Sequence, residues 1–210
     1  MGRPRQHDAT TGVRLLDVAE ELLGSGGEEA VTVRSVADAA GTSTRAVYAV
    51  FGSKEALLAA LATRGYGILE DLVDALPETD DPVADLVAAG TSCFRTFATA
   101  HPDLFRLTFE RVSAAMLEDP SAGPALMSSY RALLRRITAA RLAAGHAIPD
   151  DTVAFGFHSL CVGLANSELA RRPPPDGAGF WGPVRGIDGE ELWRTALGAF
   201  VHGLGRDQAE

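Results

Sequence analysis

Apolar positions recur with helical spacing from one end of the chain to the other. Between Thr11 and Leu23, the residues Leu15, Leu16, Ala19, Leu22 and Leu23 follow an i, i+1, i+4, i+7, i+8 pattern, which marks a helix with one buried face. The glycine-rich "GSGG" at 24–27 is expected to stop it. Thr32 can accept from first-turn amides, and Val33, Val36, Ala37 and Ala40 then form a short second stripe ending at Gly41. Ser43 is a candidate cap for a third helix, which carries Ala46, Val47, Tyr48 and Val50 to Phe51 and closes at Gly52. Ser53 caps a fourth whose stripe runs from Leu57 through Leu61, Leu69 and Val73 to Leu76, where Pro77 and the acidic "ETDD" end it.

Further along, Asp81 and Pro82 open a helix striped with Val83, Leu86, Val87, Phe94 and Phe97, and Pro102 opens another bearing Leu104, Phe105, Leu107 and Phe109. Helices are predicted over about 124–144, from Asp150 or Asp151 to about Ala170, and over about 192–204, with a Pro- and Gly-dense loop at 171–189. Strand-like alternation is nowhere convincing. The expected class is all-α, with roughly nine helices and no internal repeat.

Composition narrows the functions available. A 210-residue chain that is 46% apolar can bury a substantial core. It has no apolar run near the roughly 20 residues that span a bilayer, and its polar start lacks a signal-peptide core, so no membrane partner and a cytoplasmic location are expected. Cys93 and Cys161 read as small buried thiols, and the five histidines show no metal-ligand spacing. Gly177, Gly179 and Gly182 match a dinucleotide fingerprint, but no strand precedes them and Pro183 follows. No nucleophile or metalloprotease motif is present. An enzyme is therefore not expected, and no catalytic residue, metal or cofactor is assigned. The net charge of −9 argues against nonspecific nucleic-acid binding by the whole surface. Its distribution is uneven, because residues 1–65 hold seven cations against eight acids while the remainder is strongly acidic.

Helix, Gly-containing turn, helix over 33–51 is the layout of a helix-turn-helix, whose second helix (44–51) enters the major groove. The stretch "TVRSVADAAGTSTRAVYAVFGSKEALLAAL", Thr32 to Leu61, strongly resembles the DNA-binding domain of the TetR (tetracycline repressor) family of bacterial transcription regulators. Matching positions include Thr32, Val36, Ala37, Ala40, Gly41, Ser43, Val47, Tyr48, Phe51, Ser53, Lys54, Glu55 and Leu57.

Physical roles follow for the exposed polar positions. Arg45, at the start of the recognition helix, can bond O6 and N7 of guanine bidentately. Tyr48 can reach a thymine methyl and a phosphate, with a core tyrosine as the alternative. Thr42, Ser43 and Thr44 offer hydroxyls to bases or phosphates, although Ser43 serves equally as a cap. Lys54, beside the first amides of the fourth helix, suits a backbone phosphate, a role the resemblance also implies. Arg34 suits a phosphate or a groove edge, or is simply solvated. Arg3 and Arg5 form a basic arm able to enter a minor groove, or a solubilising tail. Val47 and Phe51 are expected to face inward against Leu16, Ala19 and Val36. Where the family often carries larger polar or aromatic residues, this chain has Ala49 and Val50, so the reading helix is sparse in donors.

The resulting domain expectation is a flexible arm at 1–9, a helix-turn-helix domain at 10–55, a linking helix at 56–76 and an effector and dimerisation domain at 77–210. The resemblance implies a homodimer on a palindromic operator, joined through 152–170 and 190–204, where Phe157, Leu160, Leu164, Trp193, Leu197, Phe200 and Val201 are the candidate contacts. For a small apolar effector, Phe94, Phe97, Phe105, Phe109, Met116, Met127, Tyr130 and Phe155 supply candidate walls and His158 and Asn166 polar contacts, though core packing explains most of them equally. The expected function is a ligand-responsive DNA-binding repressor released from double-stranded operator DNA by its effector. The alternative is a helical ligand-binding or interaction protein without operator binding.

Overall fold

The computed structural model describes residues 5–111, 122–145, 151–171 and 188–203. Met116, Arg3, all of the expected loop at 171–189 except its ends, and the glycines Gly177, Gly179 and Gly182 lie outside the described residues. The described residues form nine helices and no strand: α1 Arg5–Ala30, α2 Val33–Ala39, α3 Thr44–Phe51, α4 Lys54–Ala75, α5 at 82–100, α6 at 102–111, α7 Ala122–Ala143, α8 Asp151–Arg171 and α9 Gly189–Gly203. Two helices carry π-helical turns, Ala89–Phe94 in α5 and Leu107–Arg111 in α6. No single helix among the described residues is long and apolar enough to cross a membrane.

Two local expectations are corrected. The "GSGG" segment does not stop α1 at Leu23; helix continues to Gly27, which breaks it at φ +67°, and the assignment resumes to Ala30. Glycine tolerates helical as well as left-handed backbone, so only the residue whose neighbours demand the turn takes it. At its other end α1 begins at Arg5, inside the segment expected to be a flexible arm.

The helices sort into two compact units, residues 1–67 with 101–127 and residues 68–100 with 128–210. Helix α6 therefore groups with the N-terminal helices, although the sequence placed it in the domain beginning at 77. Long-range contacts decide this. Arg64 of α4 pairs with Asp17 (2.5 Å) and Glu20 (2.9 Å) of α1, and Glu20 also meets His101 at the start of α6 (3.5 Å). The Tyr66 hydroxyl donates to the Thr108 carbonyl (3.2 Å), while its ring stands edge-on to Phe109 at 5.4 Å. Burial pushes that phenol up to about 12.

In the other unit, α4 ends without a glycine cap; Leu76 N–H donates back to the Val73 carbonyl (3.3 Å) and the Cys93 thiol to that of Leu72 (3.2 Å). The nearly buried Arg136 of α7 supplies donors to the carbonyls of Val73 (3.1 Å), Leu76 (2.5 Å) and Pro77 (3.1 Å). Asp85 of α5 stands 3.9 Å from that guanidinium and accepts from the Thr79 N–H and hydroxyl, both at 2.8 Å. A second, half-buried polar cluster joins α5, α8 and α9. Glu168 accepts from Arg95 (2.8 Å) and from the indole N–H of the fully buried Trp193 (2.8 Å). The π-turn of α5 brings Gly90 against α8 and α9, where an added Cβ would meet Leu197 Cδ1 of α9 at 2.3 Å and Phe157 Cζ of α8 at 3.3 Å.

Gly90→Ala should therefore destabilise the fold by about 1–3 kcal/mol through overpacking, read from the urea midpoint. A pH dependence is expected at Asp85. The Thr79 N–H, then the Thr79 hydroxyl and Arg136, hold its carboxyl below its ordinary 3.8. A carboxyl depressed in the folded state stabilises above its unfolded pKa, and that contribution is lost as pH falls through the folded value. The stability gap between wild type and Asp85→Asn should thus be constant near neutrality and shrink only below pH 3.8.

Candidate nucleic-acid interface

Each boundary of the helix-turn-helix is closed by a specific hydrogen bond. Thr32 caps α2 reciprocally with Ser35, the Thr32 hydroxyl accepting from Ser35 N–H (3.0 Å) and the Ser35 hydroxyl from Thr32 N–H (2.9 Å). At the far end Gly41 sits at φ +61°, its N–H donating to Asp38 (3.1 Å) while Thr42 N–H donates to Ala37 (2.9 Å). This pair is a Schellman closure, and it needs a residue that accepts left-handed backbone. Ser43 caps α3 by accepting from Ala46 N–H (3.2 Å), and Gly52, at φ +79°, ends the helix with its N–H on the Tyr48 carbonyl (2.9 Å). Ser53 then caps α4 through Ala56 N–H (3.0 Å), and α4 departs from α3 at a bend of 63°.

Burial orients the reading helix. Val47 is 0% exposed and, like Val36, Ala37, Leu15 and Ala19, belongs to the buried core of the first unit, while Phe51 and Leu16, expected to be fully inside, are only half-buried. A two-turn helix offers one narrow buried stripe, and Val47 occupies its centre. Thr42, Ser43, Thr44, Arg45 and Ala49 are exposed, Tyr48 is 53% exposed, and Lys54 is half-buried at the start of α4. Arg34 is exposed on α2 with Asp38 3.8 Å away, a loose pair that a phosphate can replace. Arg5 is the first residue of α1. The turn also has a contact the sequence reading missed: the guanidinium of Arg14 in α1 donates to the Ala40 carbonyl, fastening the end of α2 from outside the motif. A lone arginine on an amphipathic helix gives no local signal of such a partner.

Residues 15–61 match the model of the bacterial regulatory proteins of the tetR family, and residues 86–181 match the tetracyclin repressor-like C-terminal domain. The chain belongs to the TetR family. No curated protein matches it by sequence. Among solved structures, a protein of unknown function from Rhodococcus sp. RHA1 is 23% identical and superposes with a TM-score of 0.77, over 97% of this chain and 100% of that one. The TetR family transcriptional regulator PfmR from Thermus thermophilus is 20% identical, with a TM-score of 0.60 over 93% and 100%. FadR from Bacillus subtilis, solved in complex with stearoyl-CoA, is 16% identical, with a TM-score of 0.68 over 91% and 98%. At these identities the likeness establishes the shared fold.

The other candidate residues of this TetR-family chain distribute unevenly. In the first unit Phe105 is fully buried and packs on Phe109 with ring centroids 5.3 Å apart, and Met127 is exposed. In the second, Phe94 lies edge-on to His158 at 5.8 Å and tilted to Trp193 at 6.3 Å, with Phe97 fully buried. Burial lowers the His158 pKa, which keeps that imidazole neutral. Tyr130 donates to Asp151 (2.7 Å), Asn166 is half-buried, and Phe155 is 70% exposed. Of the residues expected at a subunit interface, Phe157, Leu164, Trp193, Leu197 and Val201 are buried in this chain's own core, and Leu160 and Phe200 are half-buried. The apolar stripe read from periodicity is the one the chain uses for itself. The faces of α8 and α9 left outward carry Phe155, Ser159, Gly163, Thr195 and Ala199.

Ser43→Ala should lower stability by about 1 kcal/mol through loss of the α3 cap, seen in thermal unfolding.

Proposed function

We propose that this chain is a ligand-responsive repressor that binds a palindromic operator as a homodimer and is released by a small apolar effector. The observation that carries the reading is the one-sided α3: a single buried anchor, Val47, holds a short helix whose other face offers Thr44, Arg45 and Tyr48 to solvent. In this reading Arg45 reads a guanine edge, Tyr48 and Thr44 contact bases or phosphates, and Thr42, Ser43, Lys54 and Arg34 position the backbone, with Arg3 and Arg5 reaching a minor groove. Ala49 and Val50 donate no hydrogen bond, so the interface relies on few polar contacts.

Dimerisation is assigned to the outward faces of α8 and α9, whose small residues Ser159, Gly163 and Ala199 permit close approach about a two-fold axis. The effector is assigned to the aromatic interior of the second unit around Phe94, Phe97 and His158. The stearoyl-CoA held by the Bacillus subtilis FadR supports an effector with a long apolar part. Its action is linkage: an effector that binds better to one state of the bundle shifts α4, which is continuous across both units, and lowers operator affinity by that differential.

The test is a gel shift with intergenic DNA next to the gene, titrated with salt. Four to six phosphate contacts per dimer give a log–log slope of about −4 to −5. Arg45→Ala should cost about 1–3 kcal/mol per contact and relax preference at one base pair in each half-site. Sequence-blind binding, or no binding at low salt, would refute operator recognition; uniform weakening by Arg45→Ala would make that residue a phosphate contact.

A further inference from the structure

In a chain of net charge −9, α7 stands apart: its 22 residues carry Arg131, Arg135, Arg136 and Arg141 and no acid. Arg136 is committed inward to the α4 carbonyls. The outer face is a shallow, open surface formed by Arg131, Leu134, Arg135, Thr138, Ala139 and Leu142. These six follow i, i+3, i+4, i+7, i+8, i+11, one continuous face about 16 Å long at 1.5 Å per residue.

The face is polarised along its length. Two guanidinium groups one turn apart mark one end, and Leu142, 58% exposed, marks the other. Between them, Thr138 donates its hydroxyl to the Leu134 carbonyl (2.8 Å), which leaves no free hydroxyl donor in the apolar stretch. Arg131 has no ion-pair partner among the described residues, and Arg135 reaches Asp74 of α4 at 2.5 Å in a solvent-accessible pair. Exposed pairs of this kind exchange readily for another anion.

We propose that this face binds a free long-chain alkyl carboxylate, its head group held by Arg131 and Arg135 and its chain lying over Leu134, Ala139 and Leu142. Charge at one end and apolar surface along the rest is the complement of such a molecule. Binding draws Arg135 from Asp74 and so loosens one side-chain link between α7 and α4. The site is additional to the aromatic interior assigned to the effector.

The experiment is calorimetric titration of the full chain with dodecanoate, dodecanol and dodecyltrimethylammonium below their aggregation concentrations. Dodecanoate should bind at least about tenfold more tightly than either, as charge-assisted bonds to two guanidinium groups require. Arg131→Gln with Arg135→Gln should weaken dodecanoate by a similar factor and leave dodecanol unchanged, Leu142→Gln should weaken both, and Asp74→Asn should tighten dodecanoate by removing its competitor. All substituted side chains are exposed, and far-UV circular dichroism checks that each variant folds. Binding that ignores the head group, or that survives the Arg131, Arg135 and Leu142 substitutions, overturns the proposal. So does Arg131-dependent sedimentation with phosphatidylglycerol vesicles in the absence of dodecanoate binding, which would make the face a membrane contact. Operator binding is scored separately by gel shift, so failure there leaves this site standing, and failure here leaves the operator reading standing.

Discussion

Helix α4 ends against a buried guanidinium. Its last turn runs into Pro77 with no left-handed residue, and Arg136 binds the Val73 carbonyl together with those of Leu76 and Pro77 just beyond the helix. A charge so deeply buried is stable only because these acceptors and Asp85 surround it. The consequence is that α7, α5 and the end of α4 form one polar knot within their unit, reinforced by Arg135 on Asp74 and by Ser128 on Glu70. The opposite half of α4 is held within its own unit by Arg64 on Asp17 and Glu20 and by Tyr66 on Thr108. One continuous helix thus carries polar anchors of both units.

The reading head follows a different logic. It is small, and little of its surface is buried, so its geometry depends on closures rather than on core volume. Two positive-φ glycines, three hydroxyl caps and Val47 define where α2 and α3 begin, end and touch. The Arg14 bond to Ala40 adds an external brace at the turn. The exposed side chains of α3, Thr44, Arg45, Tyr48 and Ala49, are those this arrangement leaves outside the core.

Much of this was legible in the chain. The caps Thr32, Ser43 and Ser53, the glycines Gly41 and Gly52 and the bounds of α2 and α3 are local features, set by residues within four positions of one another. The burial of Val47 follows from the same short period. What escaped reading required distant partners: the placement of α6 with the first unit, the service of Arg136 to α4, the Glu168 cluster, and the inward turn of Phe157, Trp193 and Leu197 where an interface was expected.

The amino-acid sequence by itself determined the class of the fold, the helix boundaries around the turn and the family, because hydrogen-bonded caps and helical periodicity are short-range physics. The tertiary structure alone decided which apolar stripe the chain keeps for its own core and which it leaves outward. A periodic pattern states that a face must be covered, but only the packing of distant helices supplies the cover. The same holds for the arginines, since a guanidinium looks alike in sequence whether it closes a helix, pairs with a carboxylate or waits at the surface for an anion.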